Sequence, residues 1–222
     1  MSTELLWTGP SDAPVLVLAH GAGAAMDSAW MNRFCELLAE RGIRTARFEF
    51  AYMAARRTGT RKPAPRADLV LDEYRAAVAS VVSLAGAPVA IGGKSFGGRV
   101  ASMVADELHE AGSVSALVCL GYPFHPPGKP ERLRTAHLES LRVPTLICQG
   151  TRDPFGTRAE VSSYELSPAI SFQWLDDGEH EFKPRVKISG FTHEQHLATA
   201  ADAVAAFLVS YDGGGESQGD VA

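Results

Sequence analysis

A serine flanked by glycines is the feature of the sequence that most directly indicates chemistry. Gly93, Ser95 and Gly97 form a Gly-x-Ser-x-Gly pattern. The pattern directly follows an apolar run at 89–91 and directly precedes a helical pattern that starts at Phe96. A sharp turn between a strand and a helix exposes a serine oxygen above the edge of a sheet, and glycines relieve the crowding there. The position therefore predicts a nucleophilic serine, with the N–H of Phe96 directed at a developing oxyanion.

A serine nucleophile needs a base, and the base needs an acid that orients it. Asp153 comes four residues after an apolar run that ends at Gln149, and His180 comes five residues after another that ends at Leu175. Because the carboxyl ends of parallel strands share one edge of a sheet, Ser95, Asp153 and His180 are predicted to meet there. The order serine, aspartate, histidine along the chain also occurs in serine hydrolases.

Both partners of the serine have alternative interpretations. Asp153 could instead cap a helix that begins near Thr157, because an aspartate before a proline favours a turn. His180 could be an ordinary surface histidine. Three carboxylates crowd the loop before this histidine and could replace Asp153 as the acid, namely Asp176, Asp177 and Glu179.

The second oxyanion donor is expected in the loop at 20–24, which follows the first core strand. Its small residues let backbone N–H groups approach a substrate closely. Ala22 and Gly23 are both candidates, and the sequence alone does not decide between them. His20, at the start of the loop, is expected to form structural hydrogen bonds rather than to carry a proton.

The same loop offers a competing interpretation as a dinucleotide-binding fingerprint. Gly21 and Gly23 follow a strand, and Glu49 ends the next one, where an acid that binds ribose would lie. Met26 occupies the position of the third glycine, and its side chain would obstruct the close packing of helix and strand. An NAD-dependent oxidoreductase is therefore disfavoured.

Apolar runs that alternate with helical patterns must position these residues. Strands are predicted at 15–19, 44–50, 89–91, 116–120, 145–149 and 170–175, with a short edge strand at 4–7. Helices are predicted at 28–41, 69–84, 96–108, 131–141, 158–166 and 192–209. The alternation predicts an α/β fold, with a mostly parallel sheet of about six to seven strands and helices on both faces.

Composition excludes several classes of protein. The chain has 222 residues, a net charge of −5 and three cysteines without a Cys-x-x-Cys pair. It is expected to bind neither nucleic acid nor a membrane, to hold no metal, and to lie in the cytoplasm. One domain is predicted over 1–211, followed by a disordered tail at 212–222 that is rich in glycine and polar residues.

Two segments are expected to shape the pocket. Only about two dozen residues separate the strand that ends at 120 from the next one, which leaves no room for a large cap domain. Tyr122 and Phe124, in a proline-rich stretch, are expected either to wall the substrate pocket or to pack on the core. Met26 is a further candidate for the pocket. A basic loop after the second core strand contains Arg56, Arg57, Arg61, Lys62 and Arg66. Arg56 and Arg57 could form an anion subsite, the alternative being a solvated loop.

Four segments carry a resemblance to a known family: LAHGAGA at 18–24, GGKSFGGR at 92–99, GYPFHPPGKP at 121–130 and GTRDPFG at 150–156. They resemble the dienelactone-hydrolase-like α/β-hydrolases, and more narrowly the branch shared with testis-expressed proteins and a subunit of the nonspecific-lethal chromatin complex. The resemblance spans roughly 15–207 and implies an α/β-hydrolase fold with Ser95 as nucleophile, Asp153 as acid and His180 as base. Dienelactone hydrolase itself uses a cysteine, so the serine argues against dienelactone as the substrate.

These observations predict a serine hydrolase that cleaves a small ester or thioester through an acyl-enzyme and needs no cofactor. The alternative is a non-catalytic scaffold of the same fold that serves protein interaction, because fold and motif do not guarantee turnover.

Overall fold

The apolar runs of the sequence form a seven-stranded sheet in the computed structural model, which describes residues 4–60 and 62–212. The strands are β1 (Leu6–Thr8), β2 (Val15–Ala19), β3 (Arg44–Phe48), β4 (Val89–Lys94), β5 (Val114–Leu120), β6 (Thr145–Gly150) and β7 (Ile170–Leu175). Their order across the sheet is β1-β3-β2-β4-β5-β6-β7. Only β1 runs antiparallel to its neighbour. The predicted α/β fold with a mostly parallel sheet is confirmed.

Helices cover both faces of this sheet. They are α1 (Ala29–Ala39), α2 (Ala51–Arg57), α3 (Leu71–Ala85), α4 (Phe96–Glu110), α5 (Arg158–Val161), α6 (Val186–Ser189) and α7 (His193–Asp212). Neighbouring strand residues point to opposite faces, so Val17 joins one buried cluster while Leu16 and Leu18 join the other. Helices α3 and α4 pack on the first face, and α1 and α7 pack together on the second.

Two predicted helices are wrong in extent. The pattern at 131–141 forms only a 3-10 turn, Ala136–Leu138, because the N–H of Arg134 donates to the carbonyl of Phe124 at 2.7 Å instead of continuing a helix. The pattern at 158–166 gives only the four residues of α5. It ends where the hydroxyl groups of Ser162 and Ser163 donate to carbonyls within the helix, a competition that weakens helices.

Helix α2 was predicted as part of the basic loop. Its first N–H, from Ala51, is accepted by the carboxylate of Glu73 on α3 at 2.6 Å. A distant side chain therefore satisfies the start of this short helix, and the local sequence contains no capping signal. Arg61 of the predicted loop and residues 213–222 of the predicted tail lie outside the described residues.

The chain between β5 and β6, residues 121–144, contains no element longer than the 3-10 turn, which confirms the absence of a large cap domain. Among the described residues, no helix is long and apolar enough to cross a membrane.

Gly97 lets α4 approach the carboxyl end of β2. A Cβ at this position would lie 2.6 Å from the carbonyl oxygens of both Ala19 and His20. Helix α4 therefore begins directly beside the loop at 20–24, and no side chain fits between them.

We expect Gly97→Ala to lower the free energy of unfolding by about 1–3 kcal/mol, because the added methyl group meets backbone atoms that cannot rotate away. Urea denaturation measures the change. Gly23→Ala is the matched control, since a Cβ at Gly23 meets nothing within 4 Å. Equal stability of the two variants would contradict this account of the packing.

Candidate active site

Ser95 occupies the sharp turn between β4 and α4. Its φ of 52° lies in the left-handed region that is uncommon for residues with a side chain. The turn is tight enough that a Cβ on Gly93 would lie 2.3 Å from the carbonyl carbon of Gly97. Strand β4 is central in the sheet, next to β2, where the strand order reverses. This is the edge at which open α/β sheets bind ligands.

The structure brings Ser95, His180 and Asp153 together. The Ser95 Oγ lies 2.8 Å from Nε2 of His180, and Nδ1 of His180 lies 2.8 Å from Oδ2 of Asp153. The Asp153 side chain is fully buried, and that of His180 is 14% exposed. The geometry suits a Ser95 hydroxyl that donates to Nε2 and an Nδ1–H that donates to the carboxylate.

Asp153 is held by two further donors. The N–H of Phe155 donates to Oδ1 at 2.8 Å, and the side-chain amide of Gln149 donates to Oδ2 at 3.0 Å. A buried carboxylate requires such compensation. The Phe155 ring also packs against the His180 imidazole, with ring centroids 4.2 Å apart. Gln149 was predicted only as the end of a strand, and nothing in the local sequence indicates its contact with Asp153.

The alternative acids are engaged elsewhere. Thr157, not Asp153, caps α5, and it forms a reciprocal capping box with Glu160. Asp177 bonds to arginines, and Glu179 accepts N–H groups of its own loop. Among the described contacts, none joins Asp176 to His180.

Lys94 is a residue of the site whose role was not predicted. It is the middle residue of Gly-Lys-Ser, and its side chain is 6% exposed. The ammonium donates to the carbonyl of His180 at 2.9 Å and lies 3.2 Å from a carboxylate oxygen of Glu181. It also faces the rings of Trp30 and Phe182 at 5.5 and 5.8 Å. Burial lowers the pKa of Lys94.

The next two carbonyls of the same loop are bonded to side chains of helices. The Glu181 carbonyl accepts from His193 at 2.8 Å and from Trp30 at 3.2 Å. The Phe182 carbonyl accepts from His196 at 2.9 Å. Two histidines of α7 therefore fix the backbone that carries His180.

The loop at 20–24 is also held by side chains. The contacts of His20 fit a neutral ring that donates from Nδ1 to the Gly21 carbonyl at 2.7 Å and accepts the Phe50 N–H on Nε2 at 3.2 Å. Burial lowers the pKa of His20, which favours this neutral form. The Tyr52 hydroxyl donates to the Ala22 carbonyl at 3.2 Å. His20 therefore has the structural contacts that the sequence analysis expected.

Two cavities open at Ser95. The smaller, of about 410 Å³, is mostly apolar and lies beside Trp30, Met31 and Phe155, with His180 at its wall. The larger, of about 610 Å³, has three arginines in its lining, Arg66, Arg99 and Arg134. Of the two predicted oxyanion donors in the loop at 20–24, Ala22 lines both cavities and Gly23 only the smaller one.

The predicted pocket walls require correction. Tyr122 and Phe124 are fully buried in the core, and their rings pack together with centroids 4.8 Å apart. Met26 is also buried and lies beside Glu49, away from both cavities at Ser95. Aromatic residues after a strand suit a pocket wall and a core equally well, and here the proline-rich segment folds back onto the sheet.

The predicted anion subsite is corrected as well. Arg57 is already neutralised by Glu49 and Asp27, through contacts of 2.7 and 2.9 Å, and its hydrogen bond to Asp27 lowers the pKa of that carboxyl. Arg56 donates to the carbonyl of Lys62 at 2.9 Å. Neither arginine lines a cavity that contains Ser95. Glu49, the ribose-binding acid of the disfavoured dinucleotide interpretation, is occupied by this ion pair.

The sequence matches the model of the alpha/beta hydrolase domain over residues 12–209, so the chain belongs to this family. No functionally curated protein matches the chain.

Solved structures of similar fold cover most of the chain. A dienelactone hydrolase from Anabaena variabilis ATCC 29413 superimposes with a TM-score of 0.71 at 20% identity, over 93% of this chain and 91% of that one. The esterase domain of a Rhodothermus marinus protein gives a TM-score of 0.66 at 18% identity, over 93% of this chain and 92% of that one. An α/β serine hydrolase without lid from Xanthomonas campestris gives a TM-score of 0.63 at 16% identity, over 93% of this chain and 88% of that one. At sequence identities this low, the similarity shows a shared fold and nothing further.

Asp177 anchors the start of the loop that carries His180. Its carboxylate accepts the N–H of Arg185 at 2.7 Å, pairs with the Arg185 guanidinium, and lies 2.7 Å from the Nε of Arg152. These contacts hold the pKa of Asp177 well below its ordinary value. The residue has a φ of 55°, a conformation that asparagine also tolerates.

We expect Asp177→Asn to lower the Tm at pH 7, with a difference from the wild type that shrinks in acid. A carboxylate whose pKa is depressed on folding stabilises the fold above its unfolded pKa of about 3.9 and loses that contribution as pH falls through the folded value. Thermal unfolding between pH 7 and pH 3 tests this. The exposed neighbour Asp176 gives the control variant Asp176→Asn, and a pH-independent difference for Asp177→Asn would contradict the assignment.

Proposed function

We propose that the protein is a serine hydrolase that cleaves a small ester or thioester through an acyl-enzyme intermediate. The observation that carries the proposal is the continuous hydrogen-bonded line from Ser95 Oγ through the His180 ring to Asp153, with both contacts at 2.8 Å. Nucleophile and base within hydrogen-bond reach, with the base oriented by a third group, is the arrangement that covalent catalysis requires. The line lies at an edge with two cavities large enough for the two parts of a small ester.

In the proposed mechanism, His180 takes the Ser95 proton as Oγ attacks the carbonyl carbon of the substrate. The resulting oxyanion accepts hydrogen bonds from the backbone N–H groups of Phe96 and Ala22. As the tetrahedral intermediate collapses, His180 gives its proton to the leaving group. Water then attacks the acyl-enzyme with His180 again as base, which releases the acid and restores the Ser95 hydroxyl. Asp153 keeps the proton on Nδ1 and stabilises the imidazolium that forms in each half of the reaction.

Two observations support this choice of oxyanion donors. Phe96 is the first residue of α4, so its N–H has no acceptor within the helix and lies at the positive end of the helix dipole. Ala22 is the loop residue that lines both cavities at Ser95, and the hydrogen bond of Tyr52 to its carbonyl restricts the loop. We therefore prefer Ala22 to Gly23 as the second donor.

The finer family placement and the setting of the protein remain predictions from the sequence. They are the dienelactone-hydrolase-like branch with its testis-expressed and nonspecific-lethal relatives, a single domain over 1–211, and a cytoplasmic location. The names of the structural neighbours, an esterase domain and a serine hydrolase without lid among them, agree with hydrolysis of small esters.

We expect a fluorophosphonate probe to label the wild-type protein and to leave Ser95→Ala unlabelled, because only an activated serine attacks the phosphorus. Labelling is read by gel fluorescence and by the mass of the modified peptide. Ser162→Ala, which removes an exposed hydroxyl group, is the control and should label like the wild type. Folded wild-type protein that neither labels nor hydrolyses an ester panel of increasing acyl length would instead favour the non-catalytic scaffold.

We expect Asp153→Asn to lower kcat by roughly 10³–10⁴-fold with a much smaller change in KM. Asparagine keeps the shape of the side chain but no longer holds the histidine in the tautomer that accepts the serine proton. Steady-state kinetics on the best ester of the panel measures both constants. A loss confined to KM would contradict the role of Asp153 as the orienting acid.

A further inference from the structure

Two arginines from different parts of the chain line the larger cavity beside Ser95. Arg99 lies in the first turn of α4, and its N–H donates to the Ser95 carbonyl at 3.0 Å. Arg134 lies in the segment that connects β5 to β6. Both residues line the cavity of about 610 Å³, together with Ser95 and Phe96.

Neither arginine has an acidic partner within the described part of the chain. Asp68 is the one acidic residue in the lining of this cavity, and it is bound by Arg66 through a contact of 2.9 Å. No described carboxylate lies within 4.0 Å of the guanidinium of Arg99 or Arg134, and the Nε of Arg99 is buried without a hydrogen-bond partner. Arg57 and Arg185, by contrast, each pair with carboxylates.

The surroundings of the pair leave its positive charge uncompensated. Burial and the charge of Arg99 both lower the pKa of Arg134. The same two causes lower the pKa of the neighbouring His137 to about 4, so this histidine is neutral at pH 7. His137 is occupied by a hydrogen bond to the Ser102 hydroxyl at 2.8 Å. Two partly buried like charges repel each other, and an anion between them relieves that cost.

Arg134 is fixed in place by the two aromatic residues that were expected to wall the pocket. Its N–H donates to the carbonyl of Phe124 at 2.7 Å, and its carbonyl accepts the hydroxyl of Tyr122 at 3.0 Å. The buried aromatic residues therefore hold the backbone of Arg134 beside the cavity, and neither of them lines that cavity.

We propose that Arg99 and Arg134 bind a carboxylate or phosphate group of the substrate, on one side of the scissile carbonyl at Ser95. The smaller, mostly apolar cavity takes the uncharged part on the other side. Guanidinium groups match the geometry of both kinds of oxyanion and form charge-assisted hydrogen bonds with them. This assignment deepens the proposed function and replaces Arg56 and Arg57 as the anion subsite.

The kinetic test compares esters that carry a negative charge with esters that lack it. On the acyl side, mono-p-nitrophenyl adipate ends in a carboxylate, and p-nitrophenyl hexanoate has a methyl group in its place. On the leaving-group side, 4-acetoxybenzoate and 4-acetoxyphenyl phosphate are compared with phenyl acetate, which also separates carboxylate from phosphate. We expect the wild type to prefer one charged ester over its neutral partner by about tenfold or more in kcat/KM.

The variants assign that preference to the two side chains. Arg99→Gln and Arg134→Gln should each remove most of it while the rate on the neutral ester changes little, and Arg134→Lys should retain part of it. Arg142→Gln is the control that should keep the preference, because the Arg142 side chain is 66% exposed and pairs with Asp106 and Glu110. Tm values and neutral-ester rates identify a variant that fails through misfolding. Equal losses on charged and neutral esters in folded variants overturn the proposal.

A binding measurement separates this proposal from the proposed function. Calorimetric titration of Ser95→Ala protein with glutarate and with inorganic phosphate requires no turnover. Saturable binding that is lost in Ser95→Ala/Arg134→Gln supports the subsite even if the wild type hydrolyses no ester. Hydrolysis without preference for charge, or anion binding that the arginine variants leave unchanged, overturns the subsite and leaves the serine hydrolase assignment standing.

Discussion

The close packing of α4 against the ends of β2 and β4 is the constraint on which the site depends. A Cβ at Gly93 or Gly97 would collide with backbone atoms at this contact. Because α4 begins there, a single turn of chain carries the Ser95 hydroxyl, the N–H of Phe96 and the guanidinium of Arg99. The same contact sets the distance from these groups to the loop at 20–24. The backbone strain at Ser95 is maintained by the surrounding packing, as strained turns at functional sites require.

His180 depends on a different kind of support, because it lies in a loop without regular structure. Its own carbonyl and the two that follow are each bonded to a side chain from elsewhere, beginning with the ammonium of Lys94. The other donors come from α1 and α7, on the opposite face of the sheet from α4. Asp177 fixes the start of the loop through Arg152 and Arg185. A histidine aimed within hydrogen-bond distance of a serine 85 positions earlier is therefore held by contacts from most of the fold.

The parts of the structure that were predictable from the sequence depend on local patterns. Buried parallel strands appear as apolar runs, and a residue that follows such a run must lie at one edge of the sheet. This is why the sequence alone predicts that Ser95, Asp153 and His180 meet.

The incorrect predictions concern features that distant contacts decide. Helix α2 begins where Glu73 accepts an N–H group, and the helix predicted at 131–141 is prevented by a bond from Arg134 to Phe124. Pocket walls are decided in the same way. Tyr122 is buried because its hydroxyl group and its backbone N–H both form hydrogen bonds within the protein. Neither the residue type nor its place in the sequence indicates these contacts.

The absence of a large cap has a consequence for how this site can select a substrate. Burial of apolar surface contributes only about 25 cal/mol per Å², and cavities without a cap above them leave part of a bound ester exposed to solvent. Discrimination in such a cleft is better achieved by charge, since charge-assisted hydrogen bonds are strong and directional. Uncompensated guanidinium groups also attract anions from a distance. The cationic lining on one side of Ser95 and the apolar lining on the other would then orient the substrate as well as bind it, so that one carbonyl is presented to the serine in one direction.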